Sequence, residues 1–194
     1  MKTLIILIGL FFSLASNAKI TATVEKFNGQ VLYNGKQISN ATIFEENGFI
    51  EVKEKSYLKL KVAVYNSTMA LGPGAKLQIK FPPNPKHSPF TLFNGLLRWA
   101  TKGPAKQKGL IKTKTAAMAV RGTEFLAVVS ELLGETEIYC FNGKVIFANR
   151  ANNKDRKEVS VNDWGGIGGR FGEDVGDIVP MTEKQIDHVK GLLE

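Results

Sequence analysis

Cysteine is nearly absent: Cys140 stands alone among 194 residues, so no disulfide can form within the chain. A domain without cross-links must be held by its core. Cys140 sits in an apolar strand pattern and is expected to be buried and inert. Histidine is equally scarce, with only His87 and His188. Two histidines and one cysteine cannot complete an ordinary tetrahedral zinc site without carboxylates. No serine or cysteine nucleophile has a histidine base with local support. The phosphate-binding loop is missing too. GPGAK at 72–76 and GGIGGRFG at 165–172 lack the Gly-Lys-Ser/Thr ending that opens a helix, and they read as turns and linker. Glu124, Glu131, Glu135 and Glu137 could in principle supply a carboxylate pair for glycoside hydrolysis, but they read as a solvated face. No metal, no cofactor and no enzymatic activity are expected.

Long apolar runs are also lacking. The longest, residues 4–14 (LIILIGLFFSL), falls well short of the roughly 20 residues that span a bilayer as a helix. It follows Met1 and Lys2 and precedes Ser16-Asn17-Ala18, with small residues where a signal peptidase reads. That is the layout of a cleavable signal peptide over residues 1–18. The mature chain is expected to start at Lys19 in the periplasm or outside the cell. No cysteine marks a lipid-anchor site. The net charge of +8 favours anionic partners. The basic residues are scattered, however. Lys102, Lys106, Lys108, Lys112 and Lys114 form one stretch, and Arg150, Lys154, Arg156 and Lys157 another, without the interleaved aromatics of a nucleic-acid groove.

What is abundant is turn signal. Asn-Gly occurs five times, at 28–29, 34–35, 47–48, 94–95 and 142–143. Both residues tolerate positive φ, as tight hairpin turns require. Residues 136–141 and 144–147 flank Asn142-Gly143 and predict a hairpin, with Cys140 facing Val145 and Ile138 facing Phe147. Alternation in residues 57–65 puts Leu58, Leu60, Val62 and Val64 on one face and Lys59 and Lys61 on the other. Leu77, Ile79 and Phe81 repeat the pattern. Phe125, Ala127 and Val129 alternate with Leu126 and Val128, which predicts burial on both faces. Residues 82–89 (PPNPKHSP) read as an exposed loop, because proline cannot donate to a sheet. Residues 164–181 read as a glycine-rich linker. Residues 182–194 read as a helix capped by Thr182 and Gln185, with Ile186, Val189 and Leu193 on one face. The expected fold is all-β, a solenoid-like or sandwich stack of short, mostly antiparallel strands with a short C-terminal helix.

The stretch IKTKTAAMAVRGTEFLAVV, followed by TEIYCFNGKVIFAN, is the most specific part of the chain. It resembles the FecR domain family through Thr113, Thr115, Ala119, Val120, Arg121, Gly122, Thr123, Glu124 and Phe125, then Gly143 and Val145. Weaker matches at Gly29-Gln30-Val31, Asn47-Gly48 and residues 92–97 extend the likeness over roughly residues 20–165. The resemblance implies an all-β periplasmic domain over residues 19–163 with a role in binding or signalling. Well-known members sense an occupied TonB-dependent receptor and control a sigma factor through a cytoplasmic segment and a membrane helix. Neither is expected here, so that role does not carry over. Arg121, Gly122, Thr123, Glu124 and Phe125 are expected to form a structural corner or a partner contact. Gly122 would permit the turn, Arg121 would tie loop carbonyls or pair with Glu124, and Thr123 would close the turn through its hydroxyl. The expected partner is an envelope protein. The alternative is an anionic cell-wall polymer such as peptidoglycan or polysaccharide, held by basic charge and by Trp99 and Trp164.

Overall fold

The computed structural model describes residues 21–81, 89–103, 109–120 and 122–193. The expected signal peptide, residues 82–88 with His87, Lys106, Lys108 and Arg121 lie outside the described residues.

The chain winds between two layers. Strand β1 (Ala22–Asn28) opens the first, and β2 (Val31–Tyr33) and β3 (Lys36–Gln37) form a hairpin in the second. The chain returns as β4 (Ile43–Phe44), crosses again as β5 (Gly48–Val52), and comes back as the pair β6 (Tyr57–Val62) and β7 (Ser67–Leu71). Next, β8 (Lys76–Ile79) lies in the second layer, while β9 (Phe90–Thr101) starts there and ends in the first. Strands β10 (Gly109–Lys112) and β11 (Ala116–Val120) belong to the second layer, β12 (Glu124–Ser130) and β13 (Glu135–Asn142) to the first. Then β14 (Val145–Asn149) and β15 (Arg156–Val159) return to the second, β16 (Asp163–Ile167) and β17 (Val179–Pro180) to the first. Helix α1 (Glu183–Gly191) ends the chain's regular structure.

In space the first layer runs β4-β1-β6-β7-β9-β12-β13-β16-β17, antiparallel throughout. The second runs β3-β2-β5-β8-β9-β10-β11-β14-β15, with β9 and β10 parallel. Because β9 belongs to both, hydrogen bonding is continuous through 17 described strands, and the sheet stays open rather than closing into a barrel. Each layer adds strands nearly in chain order, which is the solenoid-like, mostly antiparallel stack the sequence leads one to expect.

The expected hairpin at Asn142-Gly143 does not form. Strand β13 pairs with β12 and β16, whereas β14 pairs with β11 and β15. Asn142-Gly143 is instead a corner between layers, with Gly143 at φ +75°. Asn28-Gly29 and Asn47-Gly48 lie at crossings of the same kind. Gly95 bends β9 from one layer into the other at φ +92°, and a Cβ there would lie 2.6 Å from the Ala75 Cα. Asn34-Gly35 alone of the five closes a two-residue hairpin, both residues at positive φ. Positive φ suits a corner as well as a hairpin, so the dipeptide marks reversals without naming their kind.

Inward-facing side chains of both layers meet in one core. Leu58, Leu60 and Val62 of β6 and Phe125, Ala127 and Val129 of β12 share this core with Val31, Ile50, Val52, Met118, Val145 and Phe147 of the other layer. Val64 and Phe81 pack at its margin. Trp99, taken from the sequence as an exposed binding aromatic, is 1% exposed. It packs between Tyr65 and Phe90 at centroid distances of 5.7 and 6.2 Å and donates its ring N–H to Thr101. Thr113, Thr115 and Thr136 join hydroxyls at 2.8 and 2.9 Å and tie the β10–β11 turn to β13.

The stretch read as a linker carries β16 at its start. Gly165 and Gly166 lie in that strand because a Cβ at either would strike Ile178 or the Phe171 ring, at 2.5 and 2.4 Å. Glycine composition signalled close approach, not looseness. The helix forms as expected, with a full capping box between Thr182 and Gln185.

Candidate functional site

The motif residues lie where the chain leaves β11 for β12. Gly122 adopts φ +64° there. The corner stacks on the Asn142-Gly143 corner so closely that a Cβ at Gly143 would lie 2.8 Å from the Gly122 carbonyl and 3.0 Å from Thr123 Cγ2. The Thr123 carbonyl accepts from the Thr101 N–H at 3.0 Å, which locks the end of β9 to it. The Thr123 hydroxyl does not close the turn as the sequence suggested: it is buried and unpartnered among the described residues. Main-chain carbonyls and the packed methyl hold the corner instead. Phe125 drops fully into the core, paired across the sheet with Trp99 and Cys140.

Glu124 points the other way, onto the outer face of the first layer. Its carboxylate receives Arg98 Nη2 at 2.7 Å and Arg98 Nε at 3.0 Å, a diagonal cross-strand pair. Arg98 Nη1 donates to the Lys190 carbonyl in the last turn of α1 at 3.0 Å. Its guanidinium also lies 5.3 Å from the Phe141 ring centre, with Lys190 Nζ 5.8 Å from the same ring. The motif acid is thus linked through Arg98 to the terminal helix. This arginine, 26 residues from the acid, was not visible as its partner in the sequence.

Helix α1 lies across that outer face. Val189, Leu193, Met181 and Ile186 pack on Ala70, Leu126, Phe141 and Leu96, forming a second apolar cluster. This explains why β12 is apolar on both faces. Leu193 sits where a side chain at Gly72 would be, 2.7 Å from its Cβ position.

On one side of the helix an aromatic groove of about 340 Å³ is lined by Tyr139, Trp164, Thr182, Gln185, His188 and Val189. Tyr139 and Trp164 stack at 5.6 Å with their planes 5° apart, and Phe171 meets Trp164 edge-on. Arg170 covers Phe171 and pairs with Glu137 at 2.9 Å. Glu137 also accepts from the Tyr139 hydroxyl. Burial, then this hydrogen bond, push the Tyr139 phenol above its ordinary range. Glu135 is buried and accepts the Arg170 N–H at 2.8 Å. Of the four acids read as a solvated face, Glu124, Glu135 and Glu137 are therefore structural. Among the described residues no group of His, Cys, Asp and Glu is placed to hold a metal. No described helix is long and apolar enough to cross a membrane.

Cys140 is buried, its Sγ 3.7 and 3.6 Å from the Asn142 and Gly143 carbonyls. Burial pushes its thiol up to about 11 from 9.0. Between these values the unfolded chain loses the thiol proton while the folded chain keeps it, so stability falls as pH rises from 9 to 11. The expected loss is about 2–3 kcal/mol at 1.36 kcal/mol per unit. Urea midpoints at pH 8 and 11 should show a smaller drop for Cys140→Ala than for the parent. An equal drop would assign the effect to other groups.

The model of the FecR protein family matches residues 49–146, half of the chain, and the chain belongs to that family. The match begins at β5 and ends in β14, so it contains the corner, Arg98 and Glu124. Two crystal structures, each described as an anti-sigma factor from Parabacteroides distasonis, share the fold. The first aligns at a TM-score of 0.57 and 10% identity, covering 73% of this chain and 64% of that one. The second aligns at 0.56 and 11%, covering 72% and 62%. The chain thus spans less than two thirds of either. No curated protein matches the sequence.

Proposed function

We infer that this chain is an exported, non-enzymatic module of the cell envelope that binds a protein partner in a signalling pathway. The observation that carries this is the FecR family match, which spans the strands holding the Gly122–Phe125 corner. The description of the two similar structures as an anti-sigma factor fits a regulatory role. The signal-peptide pattern of residues 1–18 supports export to the periplasm. A cell-wall polymer loses one of its two proposed aromatic contacts, because Trp99 is buried.

Crosslinking in intact cells, followed by fractionation and mass spectrometry, tests both parts. The expected result is a discrete protein adduct on a chain whose N-terminus is Lys19. An N-terminus at Met1 would overturn export. A chain that sediments with purified cell wall and forms no protein adduct would overturn protein binding.

A further inference from the structure

Helix α1 covers only part of the first layer's outer face. Beyond it, among the described residues, basic side chains of β1, β6 and β9 border a groove whose floor on β7, Thr68 and Ala70, is buried. Cross-strand register places Lys59 beside Ala70 and Ala70 beside Arg98, while Lys61 lies beside Thr68 and Thr68 beside Ala100. Small residues thus form a floor between two basic walls. A bulge in β1 between Val24 and Lys26 leaves both Glu25 and Lys26 exposed, and Lys26 pairs across the sheet with Lys59. The resulting groove, about 330 Å³, is lined by Lys26, Tyr57, Lys59, Thr68, Arg98 and Leu193, with Ala70 and Ala100 beneath.

Two acids face these cations. Glu25 meets Lys59 at 3.3 Å, and Glu124 engages Arg98. Lys26 and Lys61 are exposed and have no hydrogen bond or ion pair among the described residues. Among the described residues, Lys26, Lys59 and Arg98 line the groove and Lys61 stands at its edge beside Thr68, against Glu25 and Glu124, which leaves it positive. Such a groove attracts negative charge from a distance and gains most when that charge is brought close.

The geometry points to this groove as the docking site for an acidic segment of a protein partner bound in extended form, a specification that rests on the protein-binding reading above. Lys59 and Lys61 are alternate residues of one strand, so their side chains repeat at about 7 Å. Every second side chain of an extended peptide repeats at the same distance. Tyr57 and Leu193 add apolar contact at the margins, which matches a segment alternating acidic with apolar residues. A uniformly charged polymer would leave that apolar contact unused.

The test uses the exported chain and a fluorescein-labelled peptide Gly-(Glu-Val)4-Gly, followed by anisotropy at low and physiological salt. A Gln-Val peptide, inorganic polyphosphate and anionic phospholipid vesicles serve as comparisons. Lys26→Glu and Lys61→Glu remove unpaired surface charges and should not disturb folding. Each is expected to weaken peptide binding by about tenfold at low salt. Lys36→Glu, the same charge change on the second layer's β3, is expected to change it by less than about twofold. Equal loss with Lys36→Glu would reduce the effect to net charge and overturn the site. Polyphosphate or vesicles binding more tightly than the peptide, with the same dependence on Lys26 and Lys61, would overturn the acidic-peptide assignment. If the peptide does not bind but a protein adduct forms in cells, the groove assignment falls and protein binding stands. Peptide binding at the groove with no protein adduct in cells would leave the groove chemistry and overturn the function.

Discussion

Phe125→Ala is expected to lower the unfolding free energy by about 3–5 kcal/mol. Phe125 is fully buried between Trp99 and Cys140 on neighbouring strands, at the centre of the core shared by both layers. Truncation removes the apolar contact and leaves a cavity that the two strands, fixed by main-chain bonds on either side, cannot collapse to fill. Against a typical stability of about 5–15 kcal/mol the loss is a large fraction, and at the low end of that range it would leave little net stability. Urea denaturation of the purified chain measures it. Leu132→Ala, at an exposed turn position, should stay within about 0.5 kcal/mol. A Phe125→Ala loss below about 1 kcal/mol would show that the corner does not anchor the core.

Arg98→Ala is expected to loosen the terminal helix more than the sheet. The change leaves Glu124, itself only partly exposed, without its guanidinium, and leaves the Lys190 carbonyl without its donor. It also removes one of the two cations over Phe141. Breaking a charged pair on one side typically costs more than the pair contributes, because the remaining charge is stranded. We expect a loss of about 2 kcal/mol, concentrated on α1. Hydrogen exchange should show the α1 amides opening at least about tenfold faster, with β12 and β13 amides changed less. Arg98→Lys should rescue little, since a single ammonium cannot reach carboxylate and carbonyl with a planar fork. Uniform acceleration across the sheet would mean that Arg98 supports the core and not the helix.

These two residues show which parts of the molecule could be read beforehand. Alternation disclosed the faces of β6, β8 and β12, because burial by one layer imposes a period of two. The capping box at Thr182 and Gln185 was legible because it is local. The role of Asn142-Gly143 was not: the same positive φ serves a hairpin and a corner, and only the pairing of β13 with β12 and β16 decides between them. Glycines 165 and 166 misled because composition cannot distinguish freedom from close packing, and the neighbours that require them, Ile178 and Phe171, approach only in the fold. Trp99 misled in the opposite sense, since a tryptophan between Arg98 and Ala100 reveals its facing only once Arg98 is known to point outward. At the candidate site, the positive φ of Gly122 was legible from the residue type. The corner's link to the helix was not, because Arg98 lies 26 residues from Glu124 and 92 from Lys190. The basic groove was hidden for a related reason. Lys26, Lys59, Lys61 and Arg98 are scattered in sequence and gathered only by cross-strand register.

Site-specific photo-crosslinking in living cells tests the central claim most directly. A photoreactive residue at position 26, in the groove, is compared with one at position 36 on the opposite layer. The expected result is a discrete protein adduct from position 26, mapped by mass spectrometry to an acidic segment of the partner, absent from position 36 and lost when Lys61→Glu is added. Recovery of the chain with the cell wall and no adduct at position 26, or adducts of equal yield from both positions, would contradict it.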